Sequence, residues 1–214
     1  MFDALLDLVL PTECGGCAAP GTRWCEACAT ALRVGADEPL LITPRVDPGV
    51  PVFALGRHAG ARRTAVVAMK EHGRRDLRAP LSTALADGID RLLCWGVLEL
   101  PLTVVPAPTR WLSARRRGGD PVTLLARAAV GAAPGVVVVP ALRTAARVRD
   151  SVGLSAGARE RNLSGRIRLI RRPPPEEVLL VDDIVTTGAT AAESVRVLAA
   201  AGVQVVAVLT LAYA

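Results

Sequence analysis

A chain of 214 residues, 51% of them hydrophobic, can bury a core large enough for one main domain and a small extra module. That composition excludes a disordered or low-complexity protein, and no apolar run approaches the roughly 20 residues that span a bilayer, so no membrane insertion is expected. The net charge of +6 is almost all arginine; it suits a phosphate-rich ligand or a nucleic acid and does not decide between them.

The opening MFDALLDLVLPTEC carries Asp3 and Asp7 where a secretory signal carries basic residues, which makes the cytoplasm the expected compartment. Four of the five cysteines follow within fifteen residues, as Cys14-x2-Cys17 and Cys25-x2-Cys28. Two such knuckles supply four thiolates for a closed, structural zinc site, and no position is left open for catalytic water. Disulfides are the rival reading, disfavoured in a reducing compartment. Residues 36–51 hold four prolines and read as a linker into a strand near VFALGR.

GARRTAVVAMKEHG and LRAPLSTALADGIDRLLCWG then read as two helices, with Cys94 taken as an ordinary core cysteine. Lys70, in the first of them, is the only lysine against 25 arginines. A lysine kept where arginine serves everywhere else points to a need for a compact ammonium, against the plainer reading of a solvated helix residue. LTVVPAP reads as a buried strand and PVTLLARAAVGA as the helix after it. VVVVP and RIRLI are further strands, and between them lies a long basic segment from about 141 to 163 with Arg143, Arg147, Arg149, Arg159 and Arg161. A long excursion between strands is a functional loop or an arginine-rich surface loop.

The stretch VLLVDDIVTTGAT, residues 178–190, carries the most chemistry. Val178 to Val181 form a short β-rich run, ATAAESVRVLAA reads as a helix, and VQVVAVLTL supplies another strand. The loop between strand and helix therefore lies at the carboxyl end of a parallel strand, where open α/β sheets bind ligands. Thr186, Thr187, Gly188 and Thr190 sit at a helix start whose unpaired N–H groups and dipole suit an oxyanion. Asp182 and Asp183, as acceptors only, suit vicinal hydroxyls or a cation. A phosphate on one side and two hydroxyls on the other describe a ribose 5-phosphate. A phosphorelay receiver places such acids near the start of a domain and uses a lysine after them; here 31 residues follow Asp183 and none is lysine. A P-loop needs Gly-Lys-Ser/Thr, which does not occur.

VLLVDDIVTTGAT resembles the phosphoribosyl pyrophosphate (PRPP) signature of type I phosphoribosyltransferases, and the whole chain is similar to the ComF family. The resemblance rests on the four cysteines, Lys70-Glu71-His72-Gly73, Val105-Pro106-Ala107-Pro108, Arg117-Gly118, Gly153-Leu154-Ser155, Arg159 to Asn162 and the signature, in the family's order. It departs where the family has Arg-Gly-Phe-Asn-Gln and this chain has Arg117-Gly118-Gly119-Asp120-Pro121, and where a glutamine expected before Gly-Leu-Ser is replaced near Ser151. The resemblance implies an α/β fold: a mostly parallel sheet flanked by helices over 52–214, a hood over the reacting centre, and a zinc module over 1–35.

The resemblance also implies a site. PRPP would lie with its 5-phosphate on Val185, Thr186, Thr187, Gly188, Ala189 and Thr190, and its ribose hydroxyls on Asp182 and Asp183. Its pyrophosphate would meet Pro106, Ala107 and Mg²⁺, with Lys70 and hood arginines such as Arg147 neutralising the departing charge. Asp182, Asp183 and Lys70 are then the expected catalytic residues for transfer of a 5-phosphoribosyl group to an unknown acceptor. The alternatives are a non-catalytic PRPP-binding protein and a competence (DNA-uptake) accessory meeting single-stranded DNA or a competence helicase. Six aromatic residues in all leave few platforms for stacking bases.

Overall fold

The computed structural model describes residues 12–109, 120–145 and 166–214. In chain order these form α1 (Glu26–Leu32), β1 (Leu40–Ile42), β2 (Val52–Ala54), α2 (Gly60–Glu71), a 3-10 turn at Arg75–Leu77, α3 (Arg78–Cys94) and β3 (Leu102–Pro106). There follow α4 (Pro121–Val130), β4 (Val136–Val138), β5 (Leu142–Thr144), β6 (Ile167–Leu169), β7 (Glu177–Val185), α5 (Ala189–Ala200) and β8 (Val205–Tyr213).

Six strands make one sheet in the order β1-β2-β8-β7-β3-β4, and every neighbouring pair is parallel except β1 with β2. The β5–β6 pair is a separate antiparallel ribbon. The central strands are rich in Val and Leu because both sheet faces are covered, the usual state of a parallel sheet. Leu179, Val181, Leu209 and Leu211 pack on one face with α2, α3 and α4. Val178, Leu180 and Val208 pack on the other with α5, Leu142 and Ile167.

This division of helices creates the crevice. β3 and β7 are neighbours, but α4 follows β3 onto one face while α5 follows β7 onto the other. With α4 and α5 on opposite faces, the carboxyl ends of β3 and β7 are the switch point, where open α/β sheets carry their ligand-binding crevice.

Several placements differ from the sequence reading. β7 does not stop at Val181: it runs through both aspartates to Val185, because β8 continues alongside it as far as the Val185–Tyr213 pair. Leu40–Ile42, inside the stretch expected as a linker, pairs with β2 and becomes the sheet's edge strand. Cys94 is exposed, not a core cysteine; it is the last residue of α3, where Leu92 takes the buried position and Cys94 turns to solvent. Among the described residues no helix is long and apolar enough to cross a membrane.

Candidate functional site

Strand periodicity decides how the two acids are used. Side chains alternate across a strand, so Asp183 follows Leu179 and Val181 toward the α2 side, and Asp182 takes the opposite face. Asp183 is 3% exposed and meets Lys70, which reaches in from the last turn of α2. Lys70 Nζ donates to Asp183 Oδ1 at 3.0 Å and lies 2.9 Å from Oδ2. Only the first contact has hydrogen-bond geometry, so Oδ2 keeps acceptor capacity although it is buried. Burial works against the Lys70 ammonium, but Asp183, with Asp182 and Glu71, outweighs it and lifts its pKa above the ordinary lysine value.

Asp182 forms no ion pair among the described residues and feels Lys70 only as a nearby charge. Its Oδ1 accepts from the Asp183 N–H at 2.8 Å, yet desolvation and then the neighbouring charge of Asp183 push its pKa well above the usual carboxylate range, with Asp120 adding to the effect. A carboxyl held in that state is poised to ionise against hydroxyl donors or a cation.

The loop after β7 turns at Gly188, with φ of 87°, a left-handed conformation that favours glycine. Thr187 Oγ1 accepts from the Ala189 N–H at 3.3 Å, and the Ala192 N–H reaches Gly188 O at 2.9 Å as α5 begins. Ala189 N–H is thus taken by the loop and Ala192 N–H by the helix, while Thr190 and Ala191 N–H have no acceptor within the helix, the condition under which a helix start suits an oxyanion. Thr186 is exposed, Thr187 and Thr190 are half-buried, and Val185, Gly188 and Ala189 are buried. Pro106 pairs with Val181 and the Ala107 N–H donates to Val181 O at 2.7 Å, so the turn after β3 stands beside the acids. The structure thus brings Asp182, Asp183, Lys70, Pro106, Ala107 and residues 185–190 to the carboxyl ends of β3 and β7. Arg147, residues 110–119 and most of the basic segment lie outside the described residues.

Three features of the site were not anticipated from the sequence. Asp120, in the departure Gly119-Asp120-Pro121, is the N-cap of α4: its carboxylate accepts from the Thr123 N–H at 3.3 Å, Thr123 Oγ1 at 2.6 Å and Thr109 Oγ1 at 2.6 Å. Asp at the cap with Pro at the first helical position is a recognisable start signal, so this one was legible in principle. Thr144 Oγ1 in turn donates to Thr109 O at 3.2 Å, which ties the β5–β6 ribbon to the same turn. His58, after β2, is fixed by its N–H donating to Tyr213 O at 2.7 Å, and its buried Nε2 has no hydrogen-bond partner among the described residues. Burial and the charge of Arg63 hold its pKa below the ordinary histidine value, and Asp183 and Lys70 are both near enough to be felt. Pro44 and Val46 stand against Gly188, a contact that no local pattern announces.

A second cluster lies at the N-terminal end. The sulfurs of Cys14, Cys17, Cys25 and Cys28 all lie within 4.8 Å of one another, and Cys17 Sγ is 3.6 Å from Cys25 Sγ. A tetrahedral zinc with Zn–S bonds of about 2.3 Å has S–S edges of about 3.8 Å, whereas a disulfide needs about 2.05 Å. All four are free thiols. Backbone N–H groups of Gly16 and Cys25 point at Cys14 Sγ (3.5 and 3.3 Å) and that of Cys28 at Cys25 Sγ (3.5 Å). Such donors stabilise thiolates: burial raises the Cys14 pKa, but N–H groups of Cys17, Gly16 and Cys25 bring it down to about 6. The four cysteines fit a structural zinc ion. No protein-family model matches the chain and no curated protein matches it, so the reading of both sites rests on their own residues and geometry.

Proposed function

We propose that the chain is a PRPP-binding phosphoribosyltransferase of the ComF kind, with a type I phosphoribosyltransferase fold and a zinc-braced N-terminal module. The observation that carries this reading is the convergence, at the β3–β7 switch point, of an acid pair, a paired lysine and a hydroxyl-lined helix start. The 5-phosphate takes the N–H groups and hydroxyls of 186–190. The ribose hydroxyls donate to Asp182 and to the free capacity of Asp183 Oδ2. Mg²⁺ brought in with the substrate would supply positive charge to the leaving group. Lys70 holds the Asp183 carboxylate in place through its hydrogen bond to Oδ1, and the two acids stabilise positive charge developing at the ribose carbon.

Calorimetry tests the reading: PRPP should bind with Mg²⁺, and ribose 5-phosphate more weakly because it lacks the pyrophosphate. No heat with PRPP at millimolar concentration overturns the assignment. Binding without pyrophosphate release, whatever base or single-stranded DNA is offered, makes the protein a PRPP sensor and not a transferase.

A further inference from the structure

The β1–β2 hairpin is built with far more loop than it needs. Antiparallel strands close with about two to five residues, but nine residues, 43–51, separate Ile42 from Val52. The excess is not slack. The Val46 N–H donates to Thr187 O at 2.8 Å, and Val46 O and Pro44 stand over Gly188. A methyl group added at Gly188 would collide with Val46 O and lie 2.7 Å from Pro44 Cβ. What comes close to this glycine is therefore a piece of the chain's own backbone. The far end of the loop is held too: Asp47 Oδ1 accepts from the Gly49 N–H at 2.8 Å, and Pro51 O accepts from the Val208 N–H at 2.9 Å. Ile42, Val50 and Val52 share the apolar cluster of Ala191 and Val195, so both ends of the loop are anchored on the α5 face.

We infer that residues 43–47 are a positioning strap that locks the 186–190 loop in its anion-binding shape before any ligand arrives. The lock acts through backbone atoms. With Thr187 O engaged by Val46, rotation of the peptide plane leading into Gly188 is restrained, and the N–H groups at the start of α5 keep their directions. Preorganised donors bind a phosphate without first losing loop entropy. The part of this inference that concerns phosphate rests on the proposed function; the locking of the loop does not.

Val46→Pro deletes the single N–H donor, whereas Val46→Ala shortens the side chain and keeps it. Hydrogen exchange in the ligand-free protein should show the amides of 187–190 exchanging at least tenfold faster in Val46→Pro and at the wild-type rate in Val46→Ala. Equal rates in the two variants overturn the strap. Should Val46→Pro not fold, Gly188→Ala pushes the strap off from the other side and should speed exchange of the Val46 N–H itself; an unchanged Val46 rate overturns the inference equally. In the ligand arm, Val46→Pro should raise the Kd for PRPP at least tenfold and Val46→Ala should restore it. Wild-type affinity in Val46→Pro overturns the strap's role in binding and leaves the PRPP reading standing. A wild-type protein that ignores PRPP sinks that reading instead, and the exchange rates still decide whether the strap locks the loop.

Discussion

Asp182 and Asp183 are adjacent, yet their surroundings set them to different tasks. Asp183 pairs with Lys70, and Asp182 bears the desolvation and its neighbour's charge. A carboxyl whose folded pKa lies above its unfolded value holds its proton longer in the native state, so stability falls as pH rises from about 3.9 through the folded value. Asp182→Asn should therefore raise the melting temperature at pH 7–8 and flatten that decline. The same variant should bind PRPP about five- to thirtyfold less tightly, since an amide loses the charge-assisted share, roughly 1–2 kcal/mol, of its hydroxyl contacts. Lys70 presents the opposite case. Lys70→Met leaves Asp183 buried beside no cation; a lone buried charge costs about 3–5 kcal/mol, and Lys70's partial exposure brings the expectation to about 2–3 kcal/mol in urea melts. Adding Asp183→Asn to Lys70→Met should recover part of that loss, which a merely misfolded single variant would not do.

At the scale of elements, the start of α4 does two jobs. Asp120 satisfies the helix's own N–H and binds Thr109 in the turn beside the acids, so Asp120→Ala should cost about 1 kcal/mol of stability and loosen residues 107–109. Asp120→Asn keeps the cap and removes a negative charge that Asp182 feels, so a melt near wild type with a lowered Asp182 pKa, read by carboxyl NMR, is expected. This helix start was readable in the letters Asp-Pro. The length of β7 was not: nothing in VDDIV says that a strand continues through two charges, and only the partner β8 at the Val185–Tyr213 pair makes it do so.

For the molecule as a whole, the cysteine cluster is part of the same packed body as the crevice. Leu32 belongs to the main core, with Trp24 and Val34 packed against it, and the fully buried Leu77 fills the space beside Gly15, where any side chain would strike it. Arg74, four residues beyond Lys70, donates from Nη2 to Glu13 O at 3.1 Å while its guanidinium grips Asp76 at 2.6 Å. One zinc per chain is expected by elemental analysis of the reduced protein. Because the module shares its core with the sheet, chelation or Cys25→Ser should lower the melting temperature of a single transition. Two separate transitions, with the second unmoved, would show that the cluster is an independent unit.

Features that depend on short-range pattern are legible in the chain before it folds. The cysteine spacing, the β-α-β order around residues 178–213, the helices over Lys70 and after Gly188, and the candidate acids are all local regularities of period and composition. Tertiary structure alone decided which distant groups meet. That Lys70 pairs with Asp183, that α4 and α5 leave by opposite faces, that a proline-rich stretch becomes an edge strand with a strap over Gly188, and that Cys94 faces solvent are outcomes of packing. Each depends on residues tens of positions apart competing for the same buried space and the same backbone donors, and local pattern carries no record of that competition.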